Sequence, residues 1–182
     1  MKKIYYSWSQ VQGAVLDIAR QMQAHDWKPD YIVGITRGGA IPAILLSQYT
    51  GIPMRSLEVS LRDGGQTVSD LGMAEDAIGV VPSDQRHVWG DHKHLERLKK
   101  KILIVDDIND SGATINWIKN DWPSGCFPDD EEWNRVWGSN VRVTVLTHNF
   151  SSEFKDPDYY VWSVNKQEEN CWLVYPWEEF WL

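Results

Sequence analysis

The chain has 182 residues, 42% of them hydrophobic and 24% charged, the balance of one globular domain and not of a disordered segment. No apolar stretch approaches the roughly 18 residues of a membrane-spanning helix; Ala40–Ser47 and Ile102–Val105 are core-sized. A net charge of −8 and a pI near 5.0 argue against a nucleic-acid or anionic-membrane surface, yet leave room for a phosphorylated small ligand held by backbone N–H groups and a metal.

The opening Met1-Lys2-Lys3 runs into Ile4-Tyr5-Tyr6-Ser7-Trp8, too polar for a signal peptide. Over Ser9–His25, Val11, Ala14, Val15, Ile18 and Met22 recur at three- and four-residue steps. That spacing predicts a helix, with Ser7 as cap and Gln10 completing a capping box. Pro29 breaks the chain, and Tyr31–Ile35 is a short apolar run of strand type. Thr36–Gly39 reads as a turn, Ala40–Tyr49 as a helix stopped by Gly51, and Met54–Leu61 as another strand.

Arg62–Lys100 has scattered Gly, Pro and Asp and no clear period. It reads as a mobile lid, with a disordered insertion or small β-hairpin as the alternative. Its His87, His92 and His94 beside Asp91 have no Cys partners and read as solvated side chains in preference to a metal cluster. Lys101–Val105 is a continuous apolar run, the pattern of a buried parallel strand. Asp106–Thr114 is then a polar turn, and Ile115 opens a helix.

Residues 122–138, with Pro123, Gly125, Pro128 and the acids Asp129–Glu132, read as a surface insertion, and Val141–Thr147 and Tyr159–Val164 as two further strands. Strands alternating with helices predict a single α/β domain over residues 1–182, its mostly parallel sheet covered by helices on both faces. Such sheets bind ligands at the carboxyl ends of their strands. Two cysteines, Cys126 and Cys171, are too few for a disulfide scaffold and fit a reducing, cytoplasmic setting. Five of the eleven tryptophans fall after Val136, so the far end of the chain is rich in flat aromatic surface.

The strongest chemical signal is Ile102-Leu-Ile-Val-Asp106-Asp107-Ile-Asn-Asp110-Ser111-Gly112-Ala113-Thr114. A buried strand delivers two carboxylates to its end, and a turn of small residues then opens a helix. That turn can aim backbone N–H groups and the hydroxyls of Ser111 and Thr114 at one anion. The paired acids would repel a phosphate, and suit instead a neighbouring diol or a divalent cation. A site joining a diol to a phosphate is a site for a ribose 5-phosphate. A second string, Ile32-Val-Gly-Ile-Thr36-Arg37-Gly38-Gly39-Ala-Ile-Pro, places a guanidinium and two glycines between a strand and a helix. Its glycines permit close backbone approach, and the helix start and Arg37 favour negative charge.

These two strings resemble the signatures of the type I phosphoribosyltransferase family. The resemblance implies that Asp106 and Asp107 contact the ribose hydroxyls of phosphoribosyl pyrophosphate. It assigns the 5-phosphate to Asp110, Ser111, Gly112, Ala113 and Thr114, and the pyrophosphate to Arg37, Gly38 and Gly39. Mg²⁺ is implied as cofactor, with Asp107 as its protein ligand, and Asp110 as the catalytic acid–base group near the purine. Ser7-Trp8 after an aromatic strand, and Trp172-Leu-Val-Tyr175-Pro176-Trp177-Glu178 at the far end, resemble bacterial xanthine-guanine phosphoribosyltransferases in particular. By that likeness Trp172 stacks on the base, Leu173 reads its edge through the backbone, and residues 148–182 form a small hood. The implied reaction transfers ribose 5-phosphate to a 6-oxopurine (guanine, xanthine or hypoxanthine) and releases pyrophosphate. Homo-oligomers, dimer or tetramer, are implied too, with no nucleic-acid or membrane partner.

One position departs from the family. Where its members carry a Lys at the end of a late strand to reach the 6-oxo group, Val141–Thr147 runs into His148 and Asn149. Either side chain has a donor, so His148 is the expected base contact and Asn149 its alternative. Two other functions stay open at this level. The fold could be a non-catalytic sensor of phosphoribosyl pyrophosphate or of nucleotides. Asp106 could instead be the nucleophile of a phosphatase, a role that leaves Arg37-Gly38-Gly39 and Pro176-Trp177 without a purpose.

Overall fold

The computed structural model describes residues 1–59, 61, 67–80 and 98–178. Its elements, in chain order, are β1 Lys2–Tyr5, α1 Trp8–Ala24, β2 Tyr31–Thr36, α2 Ala40–Thr50, β3 Met54–Glu58, α3 Leu71–Ile78, β4 Ile102–Asn109, α4 Ala113–Gly125, α5 Trp133–Val136, β5 Val141–Asn149, β6 Tyr159–Val164 and β7 Cys171–Val174. Five strands make a parallel sheet in the order β3-β2-β4-β5-β6. The expected α/β architecture is present.

The helices start and stop where local chemistry dictates. Ser7 Oγ accepts from the Gln10 N–H at 3.3 Å, and Gln10 Oε1 accepts from the Ser7 N–H at 2.8 Å, the reciprocal capping box expected for α1. The apolar stripe of α1 packs with α2 against one face of the sheet, meeting Ile32, Leu103, Val105 and Leu146. On the other face α3 and α4 cover Val33, Ile35, Ile102, Ile104 and Val143. β2 and β4 are therefore covered on both sides, which is why they read as unbroken apolar runs. Gly51, at φ 72°, closes α2 in the left-handed conformation that a side chain would oppose.

Three expectations about boundaries need correction. β4 continues past Val105 to Asn109, because Asp106, Ile108 and Asn109 keep pairing with β5 beyond the apolar run. Residues 62–100 include a regular helix: Asp70 caps α3, whose Met73, Ala74, Ala77 and Ile78 are buried, so this part is scaffold. Residues 62–66 and 81–97 of the expected lid, with His87, Asp91, His92 and His94, lie outside the described residues. Residues 122–138 are no mere surface insertion. Trp122, Trp133 and Val136 are buried, Trp122 stacks on Trp137 with ring centroids 5.7 Å apart, and Trp133 Nε1 donates to the Cys126 carbonyl at 2.8 Å.

The hood also differs from the expected residues 148–182. His148 and Asn149 end β5, and β6 is the edge strand of the main sheet. The second sheet consists of β1 and β7, paired in parallel from Lys2–Cys171 to Tyr5–Val174. Tyr6 fixes it to the domain by stacking between Trp162 (4.2 Å) and Tyr175 (5.2 Å). Among the described residues no helix is long and apolar enough to cross a membrane.

Candidate active site

The order of the sheet reverses between β2 and β4. From β2 the chain leaves by α2 on one face to reach β3, and returns by α3 on the other face to β4. The carboxyl ends of β2 and β4 thus flank a crevice, the place where open parallel sheets bind ligands. Both chemical strings of the sequence end there.

The turn after β2 lies directly on the end of β4. A Cβ at Gly38 would overlap the Asp107 carboxylate, and one at Gly39 would stand 2.7 Å from Asp106 Cα and 2.9 Å from the Ile35 carbonyl. Only glycine lets the two segments touch, so the pair of glycines is explained by packing as well as by ligand approach. Arg37 is exposed at the mouth of the crevice, joined to Thr36 by a cis peptide bond.

Beyond β4, residues 110–112 form a loop that ends at Gly112, φ 88°, the N-cap of α4. A Cβ there would sit 2.8 Å from Ser152 Oγ. The loop is tied down from outside, since Ser111 accepts the Glu153 N–H at 2.9 Å through its carbonyl. Asn109, fully buried, accepts from Ser152 Oγ at 2.8 Å and donates to the Phe154 carbonyl at 2.7 Å. Ser111, Gly112, Ala113 and Thr114 consequently surround the start of α4, where backbone N–H groups and the helix dipole favour an anion.

The two acids differ in environment. The Ile108 N–H donates to Asp107 Oδ1 at 2.8 Å, and the Asp107 N–H to Asp106 Oδ1 at 3.0 Å. Burial, then the charge of Glu178, pushes the Asp107 carboxyl up to about 6, with the Ile108 N–H and the side chains of Asp106 and Trp177 offsetting part of the rise. Tyr175 is buried beside it, donates to the Asp107 carbonyl at 2.9 Å and lies 2.8 Å from Thr147 Oγ1. Its hydroxyl is held well above its ordinary pKa, by burial first and then by the charge of Asp107. The string Tyr175-Pro176-Trp177-Glu178 therefore braces the acidic end of β4 from the hood side.

The same donor set can be weighed against a metal. Among the described residues no cluster of three or more His, Cys, Asp or Glu side chains is arranged to hold an ion. Asp106 and Asp107 supply hard oxygens and excess negative charge at one point. That fits Mg²⁺, which binds one or two carboxylates and completes its shell with water and substrate phosphate oxygens.

At the hood, Trp172 is 43% exposed on β7, whereas Leu173 is buried. Asp110 makes an ion pair with Lys166, Nζ to Oδ2 2.8 Å, and Lys166 Nζ lies 5.9 Å from the Trp172 ring centroid. His148 corrects the expectation of a base contact. It is 2% exposed, its Nδ1 sits 3.0 Å from Asn109 Nδ2, and its ring is enclosed by Phe150 and Tyr160. Burial lowers its pKa, while a hydrogen bond to the Lys155 backbone opposes that. Asn149 is committed too, donating to the Asp110 carbonyl at 2.9 Å. Asn109, Lys166, Tyr175 and Glu178 were not expected in the site. Asn109, Tyr175 and Glu178 stand inside the quoted strings without an assigned role, and no residue spacing tied Lys166 to Asp110.

Comparison with known proteins agrees with this geometry. Residues 2–127 match the family model described as phosphoribosyl transferase domain, and the chain belongs to that family. It is 24% identical over 194 residues to xanthine phosphoribosyltransferase 1 of Saccharomyces cerevisiae, covering 97% of this chain and 90% of that protein. To the xanthine-guanine phosphoribosyltransferase of Cereibacter sphaeroides it is 25% identical, covering 97% and 87%. Among solved structures, a purine phosphoribosyltransferase from Pyrococcus horikoshii superposes with a TM-score of 0.61 at 27% identity, covering 99% of this chain and 97% of that one. The protein is an enzyme of the phosphoribosyltransferase type, and a phosphatase built on Asp106 is set aside.

Proposed function

We propose that this enzyme transfers ribose 5-phosphate from phosphoribosyl pyrophosphate to N9 of a 6-oxopurine and releases pyrophosphate. The observation that carries the reading is the contact of the Arg37-Gly38-Gly39 turn with Asp106 and Asp107 at the switch point, and Lys166 links Asp110 to the Trp172 ring. The names of similar proteins, xanthine, xanthine-guanine and purine phosphoribosyltransferases, support the same substrate class.

In this reading the start of α4 binds the 5-phosphate through Ser111, Gly112, Ala113 and Thr114. Asp106 and Asp107 accept hydrogen bonds from the ribose hydroxyls, and Arg37 with the Gly38 and Gly39 backbone holds the pyrophosphate. Asp107 would hold Mg²⁺, which would supply positive charge to offset the negative charge gathering on the departing pyrophosphate. The N9–C1 bond forms as the C1–O bond breaks, the electron pair leaving with pyrophosphate. The N7 proton of the base passes to the Asp110 carboxylate, which is a general base within reach of Trp172-stacked purine. Dimer or tetramer formation belongs to the same proposal, and α2 leaves Ile44 and Tyr49 49% and 63% exposed for it; light scattering tests that part.

The test is pyrophosphate release with phosphoribosyl pyrophosphate and Mg²⁺ against guanine, xanthine, hypoxanthine, adenine and uracil in turn. Turnover on 6-oxopurines is expected. Tight binding of phosphoribosyl pyrophosphate with no turnover on any base would replace the proposal by the sensor.

A further inference from the structure

We propose that Lys166 sets the base specificity of this site: its ammonium, beside Asp110 and over the Trp172 ring, donates to a 6-oxo group and rejects a 6-amino group. The inference rests on the purine-transfer reading and names the part of the chain that selects the purine.

Three contacts define the position. Lys166 lies just beyond β6, and its backbone N–H donates to Asn149 Oδ1 at 3.0 Å. The same Asn149 side chain donates to the Asp110 carbonyl at 2.9 Å. One buried amide therefore fixes two loops, from β4 and from β6, in a set relation. Across that junction Lys166 Nζ donates to Asp110 Oδ2 at 2.8 Å, both side chains retaining some solvent exposure, 21% and 34%. The ammonium also lies 5.9 Å from the centroid of the Trp172 ring. An acceptor and a cationic donor thus stand a hydrogen-bond length apart at the edge of an exposed flat platform.

That pair matches one edge of one class of base. A 6-oxopurine protonated at N7 presents a donor, N7–H, next to an acceptor, O6; the Asp110 carboxylate and the Lys166 ammonium are their complements. Adenine presents an amino group where O6 would be, so a donor would face a donor carrying positive charge. A site built around a charged hydrogen bond rejects the analogue that lacks its partner far more strongly than a site built on shape. His148 and Asn149 have their side-chain groups committed to Asn109 and to Asp110, so neither supplies this donor. Through the reaction Lys166 keeps all its protons. As the N7 proton moves to Asp110, electron density rises on O6 and the ammonium stabilises it.

The experiment measures kcat and KM for guanine, hypoxanthine, xanthine and adenine, with phosphoribosyl pyrophosphate and Mg²⁺, for the wild type, Lys166→Met and Lys166→Arg. Lys166→Met is expected to lower kcat/KM about 10–100-fold for the 6-oxopurines, the range of a charged hydrogen bond. The KM of phosphoribosyl pyrophosphate should stay within about twofold, adenine should not fall, and Lys166→Arg should recover part of the loss, as a second cationic donor. An equal fall on every base, or an unchanged ranking, overturns the proposal. A wild type inactive on all four bases would instead defeat the transfer reading. In that case guanine and adenine are titrated onto both proteins by tryptophan fluorescence, and loss of the guanine preference in Lys166→Met still decides the role of Lys166. If Lys166→Met does not fold, Lys166→Gln takes its place in both measurements.

Discussion

Replacing Asp107 by Asn should make the unliganded protein more stable and the enzyme less active. The Asp107 carboxyl is raised from 3.8 to about 6 by burial and by Glu178, so its ionised form is disfavoured in the fold. At about 1.4 kcal/mol per pH unit, that rise corresponds to up to ~3 kcal/mol of destabilisation at neutral pH. The sign follows from the proton: the folded state binds it more tightly, so this stability is complete below about 3.8 and is lost as pH rises through about 6. Asn keeps the oxygen that accepts the Ile108 N–H and carries no charge at any pH. Urea unfolding in EDTA, at pH 4 and pH 7.5, reads the effect. The Asn variant should exceed the wild type by about 1–3 kcal/mol at pH 7.5, and the gap should close toward pH 4. Its kcat/KM should fall at least about tenfold with loss of the diol and metal contacts proposed for Asp107. A variant equally stable or weaker at pH 7.5, with no pH-dependent gap, would refute the electrostatic reasoning.

Asp110→Asn should lower kcat about 100- to 10,000-fold, as loss of a general base does, while phosphoribosyl pyrophosphate still binds in calorimetry; full turnover would remove Asp110 from that role. Gly39→Ala should cost about 1–3 kcal/mol in thermal unfolding, because its Cβ meets Asp106 Cα and the Ile35 carbonyl with no room to relax. Tyr175→Phe removes the donor to the Asp107 carbonyl. It should cost about 1–2 kcal/mol of stability and raise the KM of phosphoribosyl pyrophosphate more than that of the base, a split that steady-state kinetics resolves. Trp122→Ala, in the segment expected to be a surface insertion, should cost about 3–5 kcal/mol by urea titration because its side chain is fully enclosed; a cost under about 1 kcal/mol would return that segment to the surface.

Much of this architecture was legible because it is written locally. The capping box at Ser7 and Gln10, the stripe Val11–Met22 and the run Ile102–Val105 each announce an element through a period or a cap. The strings around Arg37 and Asp106 announced chemistry, and Gly38 and Gly39 of one pack on Asp107 and Asp106 of the other. What stayed hidden depends on contacts between distant segments. The strand form of Asp106–Asn109 comes from pairing with β5, against a polar composition that reads as turn. The burial of Trp122 and Trp133 depends on Trp137 and Cys126, which acidic neighbours disguise. His148 looked like a donor in the right place along the strand, yet alternation turns its ring to Asn109 and into the interior. Lys166 and Tyr175 reach the site from loops whose course no residue spacing reveals.

The pairing of β1 with β7 has a consequence for how the enzyme is assembled. Lys2–Tyr5 and Cys171–Val174 lie nearly the whole length of the chain apart, and closing so long a loop is slow and entropically costly. During synthesis, the segments proposed to hold ribose and phosphate, β2, β4 and α4, precede the strand that completes the second sheet. The proposed platform for the base is therefore completed after them, and until β7 is made a nascent chain carries the loops proposed for one substrate without the seat proposed for the other.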